Sequence, residues 1–384
     1  MNNAGLDSTI HHLEGWLQSN GLYGYDPYDI KGHSSLIRFQ KNPLTRKSIN
    51  LFVEAMPLVS RKIFQIKPVV NAKAVALLTL AYLNRYKYTQ NQNYLKQAKL
   101  AGKWLVKHAN DWDPNIVGWG YPFDWQSRVM IPRGTPSSVV TAFGLQAVIA
   151  LQNKFSDLIP NPRKFFLEAG QFFTELLNQS PEGCFSYTPV DQFKVHNANL
   201  FSAYSLLLLA DLTENAEYSN LAKRAVDYTI SQQGPEGGFG YWGDEFENKI
   251  IDNFHTGYVI RLLYRINGIL NHRPLEDTID RAMHFYSENL FEGNFPKDRH
   301  NRLYPIDVHT LTEVILVYCE LPAYRKLLKS KVDKTLSFII NKMQYKPGYI
   351  AYKKYPLFTV KFPFLRWNQA WTYYALSELQ RCTE

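Results

Sequence analysis

Two kinds of hydrophobic pattern alternate along the chain. In YLKQAKLAGKWLVKHA, RKFFLEAGQFFTELLN, EYSNLAKRAVDYTISQQ, EDTIDRAMHFYSENL and YRKLLKSKVDKTLSFIINKM, apolar residues recur at helical spacing and charge covers the other half of the circumference. That pattern predicts helices with one buried face. Between them lie NAKAVALLTLAYLNRY, PSSVVTAFGLQAVIAL, ANLFSAYSLLLLADL, FHTGYVIRLLYRI, YPIDVHTLTEVILVY and WNQAWTYYALSELQ, which are apolar almost all round. Helices of that kind must be packed on both sides. Loops rich in Gly and aromatic residues, such as GWGYPFDWQSR, lead from each amphipathic helix into the apolar one that follows.

The alternation is an internal repeat. With STIHHLEGWLQ taken as the first outer helix, partnered by NAKAVALLTLAYLNRY, there are six outer-inner pairs. The inner helices then begin near Asn71, Thr135, Asn197, Asp252, Asp307 and Trp367, roughly 55 to 65 residues apart. Both terminal pairs have apolar inner helices rather than polar caps, which favours a closed ring over an open solenoid. The expected fold is all-α, a single (α/α)6 toroid spanning residues 1–384. Two long insertions, near 38–67 and 345–366, interrupt it.

In such a ring the inner helices run the same way, and the loops entering them converge on one face. That face collects Asp26 and Asp29 of YDPYD; Asp124, Trp125, Arg128 and Arg133 of GWGYPFDWQSRVMIPRGTP; and Tyr187, His196, Asn197 and Asn199 of FSYTPVDQFKVHNAN. It also collects Asp252, Asn253 and His255 of IDNFHTG, Asp307 and His309 of YPIDVHT, and Trp367 and Gln369 of RWNQAW. Asp and Asn are good helix N-caps, but capping does not explain His, Tyr, Trp and Arg beside the caps in successive repeats. Three chemistries can be drawn from the set. Tyr187 and His196 could act as acid and base on a sugar whose carboxylate is held by Asn197 or an Arg. Two of Asp26, Asp29, Asp124, Asp252 and Asp307 could be the paired carboxylates of a glycoside hydrolase. Asp252, His255, Asp307 and His309 could bind a divalent metal, although their spacings are common and no cofactor is expected. Asp124, His196, His255 and His309 are the residues most expected at the site.

Composition narrows the partners. The formal charge is +9, which favours an anionic one, but no dense Lys/Arg block of the nucleic-acid type occurs. Aromatics reach 15% and cluster in the loops, as at carbohydrate sites. The insertions carry Arg38, Lys41, Arg46, Lys47, Arg61 and Lys62 against Glu54, and Lys346, Lys353, Lys354, Lys361 and Arg366 with no acid. Interleaved with Phe, Tyr and Leu, these suit an acidic saccharide or peripheral contact with an anionic membrane, and in a closed ring they would be neighbours. The 3 cysteines are far apart in sequence, so no disulfide framework is expected. Neither a signal peptide nor a spanning segment is visible, which predicts a cytoplasmic protein.

Taken together, YDPYD, NAKAVALLTLAYL, GWGYPFDWQSR with PRGTP, FSYTP with HNANL, and IDNFHTGYV resemble an uncharacterised bacterial family of squalene-cyclase-like toroids. The wider group holds squalene cyclases, protein prenyltransferases and many glycan lyases, hydrolases and epimerases. The resemblance covers nearly the whole chain and implies a place in polysaccharide biosynthesis, acting on an anionic or lipid-linked glycan. The DxDD run of terpene cyclases is missing, and neither Cys184 nor Cys319 lies beside IDNFHTG as a prenyltransferase zinc set requires. An isoprenoid reaction is therefore the lesser alternative. A non-catalytic glycan-binding or scaffold protein is the other.

Overall fold

A computed structural model describes residues 3–40, 43–243 and 250–383. The chain opens with α1 (Asn3–Asn20), followed by α2 (Ser34–Gln40), α3 (Pro43–Ala55) and α4 (Pro57–Ile63) in the first insertion. Inner and outer helices then alternate: α5 (Ala72–Thr89) and α6 (Gln92–Lys107), α7 (Ser138–Gln152) and α8 (Pro162–Gln171), α9 (His196–Thr213) and α10 (Ala216–Ser231). The last are α11 (Asn253–Leu270) and α12 (Arg273–Asn289), α13 (Val308–Glu320) and α14 (Arg325–Phe338), and α15 (Trp371–Cys382).

The odd-numbered helices from α5 to α15 pack side by side, each on the next and α15 back on α5, so the ring is closed. Local sequence explains their burial. In α7 nearly every residue from Ser138 to Leu145 is buried, whereas α12 buries only the stripe through Leu275, Ile279, Ala282, Met283 and Tyr286. Close approach of the inner helices depends on Gly257 of α11, where an added Cβ would lie 2.4 Å from Glu313 Cγ of α13. The main buried core draws on every helix of the ring.

The first outer helix differs from its expected place. It packs chiefly on α15 and on the strand Tyr349–Ile350 rather than on α5. Glu14 of α1 ties the ends together, accepting hydrogen bonds from Tyr373 of α15 at 2.8 Å, Arg85 of α5 at 2.8 Å and Tyr94 of α6 at 3.1 Å. Closure likewise brings Cys319 and Cys382, distant in sequence, to a sulfur separation of 2.9 Å, because α13 and α15 are ring neighbours.

The helix starts follow the sequence closely. Asn71, Asp252 and Asp307 are the N-caps of α5, α11 and α13, each accepting a backbone N–H with its side chain. The second inner helix is capped by Ser137, slightly after Thr135. The sixth is entered through a buried π-helical turn, Leu365–Ala370.

The two insertions meet. Lys353 lies 3.3 Å from Glu54, and the Arg61 guanidinium stacks 4.8 Å from the Phe364 ring centroid. Lys353–Lys354 pairs with both Thr359–Val360 and Ile306–Asp307, fastening the second insertion to the start of α13. Lys41 and the side chains of Arg38 and Arg46 lie outside the described residues. No helix among the described residues is long and apolar enough to cross a membrane.

Candidate active site

All six inner helices contribute to one cavity of about 110 Å³ at their N-terminal ends. Lys73 comes from the first turn of α5, Val139 from α7, Asn197 from α9, Phe254, His255 and Tyr258 from α11, and His309 from α13. The turn before α15 supplies Arg366 and Trp367, and the entering loops add Tyr28, Tyr121, Phe123, Trp125, Tyr187 and Tyr241. No Asp or Glu among the described residues lines it. A larger groove between α1 and α6, about 630 Å³, lies away from this convergence; its carboxylate, Glu14, is held by Arg85.

Two histidines face the cavity from neighbouring helices, and their local sequence sets their geometry. Asp252 caps α11, accepting the His255 backbone N–H at 2.9 Å with one oxygen, while the other lies 2.7 Å from His255 Nδ1. A carboxylate on Nδ1 fixes the ring and leaves Nε2 for a substrate. The His255 side chain is 25% exposed, so it can be reached. Asp307 caps α13 in the same way through the His309 N–H at 2.9 Å, but its side chain also accepts Trp367 Nε1–H at 2.8 Å. His309 instead has Nε2 3.0 Å from the Tyr258 hydroxyl, and its buried Nδ1 has no hydrogen-bond partner among the described residues. Burial, with Lys73 and Arg366 nearby, holds its imidazole well below the usual histidine range, so it is neutral.

Arg366 is the cavity's fixed cation, and Lys73 brings an amine into the same lining. Arg366 is anchored from behind by Asp26, with Nη2 2.8 Å from Oδ1, and its guanidinium lies about 5 Å from the Tyr121 and Trp367 rings. Its Nη1 makes no hydrogen bond among the described residues. With no lining acid, the cavity is built for an anion or a polar neutral group. Burial pushes the Tyr28 phenol up to about 12 and the Tyr187 and Tyr258 phenols well up, so all three remain protonated donors.

Of the residues the sequence singles out, Trp125, Tyr187, Asn197, His255, His309 and Trp367 line the cavity. His196 does not face it with Tyr187. It is buried in an adjoining cleft beside Asn197, Asp252 and His255, with Phe239 against its ring. Asp124 lies outside, exposed, its carboxylate accepting the Arg133 backbone N–H at 2.7 Å to close the Trp125–Gln126 hairpin. Arg133 is exposed too, and Arg128 stacks 4.0 Å from the Trp242 ring centroid on the rim. Asp26 and Asp29 are spent on buried arginines, Arg366 and Arg61. Asn199, Asn253 and Gln369 satisfy the backbone: Asn199 accepts from Phe185, Asn253 donates to Leu290 and Gln369 bonds both groups of Ile350.

These placements separate the three chemistries. The candidate carboxylates do not form a facing pair across the cavity, being capped, ion-paired or outside it. Asp252, His255, Asp307 and His309 form two separate capping pairs, and no group of three or more His, Cys, Asp or Glu suited to a metal converges among the described residues. The imidazoles and phenols do share one space. Lys73, Tyr28, Tyr121, Tyr241 and Tyr258 went unmarked by the motif pattern. Only a lysine in the first turn of a helix otherwise apolar all round could have signalled Lys73.

No family model and no curated protein matches the sequence. The fold does have solved relatives. A sugar epimerase from a ruminal bacterium matches with a TM-score of 0.61 at 14% identity, covering 82% of this chain and 87% of that one. A cellobiose 2-epimerase from Spirochaeta thermophila matches with a TM-score of 0.61 at 13% identity, covering 83% and 88%. An unsaturated glucuronyl hydrolase specific for heparin matches with a TM-score of 0.61 at 10% identity, covering 99% and 96%. At such identities the likeness establishes architecture. The chain has the α/α-toroid fold of these proteins.

Proposed function

We propose that the protein is a carbohydrate-active enzyme that moves protons on an anionic sugar, by epimerase- or lyase-type chemistry rather than by a carboxylate pair. The observation that carries this reading is His255, held from behind by Asp252, facing the same carboxylate-free cavity as His309. His255 takes a proton from a sugar carbon next to a carbonyl or carboxylate, and Asp252 stabilises the imidazolium that results. His309, neutral and linked to Tyr258, is the second proton-transfer group. Arg366 and Asn197 bind the sugar's acidic group, and the Tyr28, Tyr121, Trp125 and Trp367 rings pack on its faces. No cofactor is needed for this chemistry. Proteins of the same fold that are sugar epimerases, a glucuronyl hydrolase and a polysaccharide lyase support it.

We place the substrate in bacterial polysaccharide biosynthesis, as a lipid-linked or polymeric glycan at the inner face of the cytoplasmic membrane. The insertion supports this. Leu44, Leu51, Met56, Leu58, Ile63 and Leu357 are exposed there beside the exposed Lys47, Lys62, Lys67 and Lys361, which is the composition of a surface resting on anionic headgroups. Arg61, Lys353 and Arg366 take no part, being turned inward onto Asp29, Glu54 and Asp26. An isoprenoid cyclase would suit the aromatic walls, but its acid has no candidate in the lining.

The test is proton exchange. Uronate-containing saccharides incubated with the protein in deuterated water should gain deuterium at one sugar carbon, or lose it as an unsaturated product. His255→Ala should stop this while saccharide affinity persists. Hydrolysis without exchange would overturn the mechanism, and affinity without turnover on any acidic glycan would make the protein a binder.

A further inference from the structure

We infer that Lys73 is a carbonyl-capturing amine, whose Nζ adds to the aldehyde of an open-chain reducing sugar in the central cavity. This rests on the carbohydrate reading and narrows its substrate to a saccharide with a free reducing end, which a polymeric chain has and a lipid-linked one, joined through its anomeric carbon, lacks. Lys73 stands in the first turn of α5, where its backbone N–H is held 3.0 Å from Asn71 Oδ1. It is 4% exposed and borders the cavity. Among the described residues, its Nζ makes neither a hydrogen bond nor an ion pair. A structural lysine at this depth would be ion-paired or hydrogen-bonded, because ring contacts alone repay only part of the cost of burying an ammonium.

The groups around it come from every neighbouring element. Phe143 of α7 lies 4.6 Å from Nζ by ring centroid, Trp371 of α15 5.1 Å and Tyr258 of α11 5.8 Å. The charged or titratable groups acting on it are Arg366 from the turn before α15, Glu313 of α13 and Asp26 of the entering loop, with His309 of α13 close by. Both carboxylates are engaged elsewhere, Asp26 with Arg366 and Glu313 with Arg261. Burial first, and then Arg366, lowers the amine well below the usual lysine range, and the partial positive charge of the α5 N-terminus acts in the same direction. A desolvated amine beside another cation is the arrangement that makes a lysine nucleophilic.

The step balances without redox. The Nζ lone pair forms a bond to the aldehyde carbon, both amine protons pass to the carbonyl oxygen, and that oxygen leaves as water, giving an imine. Once protonated, the imine withdraws electrons from the adjacent carbon, whose proton His255 or His309 can remove and return. Water then hydrolyses the imine and restores both the aldehyde and the amine. The three aromatic faces around Nζ would stabilise the iminium cation.

The full-length protein, treated with glycolaldehyde and sodium cyanoborohydride at pH 7 and mapped by peptide mass spectrometry, provides the test. Lys73 should be alkylated about ten-fold faster than the exposed Lys361, as expected for a neutral amine. Lys73→Arg, which keeps the charge but forms no imine, should lose the adduct and turnover together. Labelling of Lys73 no faster than Lys361 would overturn the assignment, and because it is read on the native chain it does not depend on a variant folding. If labelling fails while His255→Ala still abolishes deuterium exchange, the proton-transfer reading survives and only this inference falls.

Discussion

Midway along α11 and α13 and at their C-terminal ends, buried charge is matched with charge. Arg261 lies 2.6 Å from Glu313, and Glu320 is shared by Arg261 and Arg265 at 2.5 Å each. At the cavity end of the ring, the Lys73 amine of α5 meets only aromatic rings and His309 Nδ1 of α13 is buried, neither with a hydrogen-bond or ionic partner among the described residues. The two depths share one core and one low dielectric, so the contrast comes from what each must do. A scaffold keeps a buried charge by neutralising it. A site leaves groups unmatched where a substrate will complete them, and holds them in the protonation state its chemistry needs.

That comparison can be broken by substitution. His255→Ala should lower deuterium exchange by about 10²- to 10⁴-fold while shifting the urea unfolding free energy by less than about 1 kcal/mol. A comparable loss of stability would make His255 part of the scaffold. Arg261→Met should do the reverse, costing about 3–5 kcal/mol in the same unfolding experiment by stranding Glu313 and Glu320, with exchange per folded molecule retained. Lys73→Met should stabilise the fold by about 1–3 kcal/mol, because it replaces a buried amine held only by ring contacts with an apolar chain that keeps them, and should still abolish turnover. Destabilisation by Lys73→Met would mean the amine is structural.

Acid titration sharpens the contrast further, with the smallest effect. Arg261 and Arg265 hold the Glu320 carboxyl at about 2, below its ordinary 4.5 despite burial. Its contribution is therefore complete above pH 4.5 and lost as pH falls toward 2. The His309 imidazole is also lowered, from 6.5, so the unfolded chain binds that proton more readily and stability declines as pH drops below 6.5. Each group adds a slope of up to about 1.4 kcal/mol per pH unit in its own window. His309→Asn should flatten the upper window and Glu320→Gln the lower one in unfolding curves taken across pH. A single decline common to both variants would show that neither group is set apart by its surroundings.

Much of this was legible beforehand, for definable reasons. The difference between one-faced and all-round hydrophobicity separates outer helix α12 from inner helix α7. Asn71, Asp252 and Asp307 mark helix starts because capping is a local event within three residues. His255 and His309 could be placed for the same reason, since each follows its cap by two or three positions. Asp124 and His196 show the limit. Both lie at the right end of the ring, yet a hairpin turns one outward and Tyr228 and Phe239 close the other into a side cleft.

By itself, then, the order of residues determined the six-fold repeat, which helices turn inward, where they start and which imidazoles sit at those starts. These depend on interactions within a turn or a helix face. Tertiary structure alone decided that Asp26 would be consumed by Arg366, 340 positions away, that Glu14 of the first helix would bind Tyr373 of the last, and that Lys73 would stand among aromatic rings with no acid to meet it. Such pairings depend on which side chains ring closure brings within a few ångströms of each other, and no local pattern carries that information.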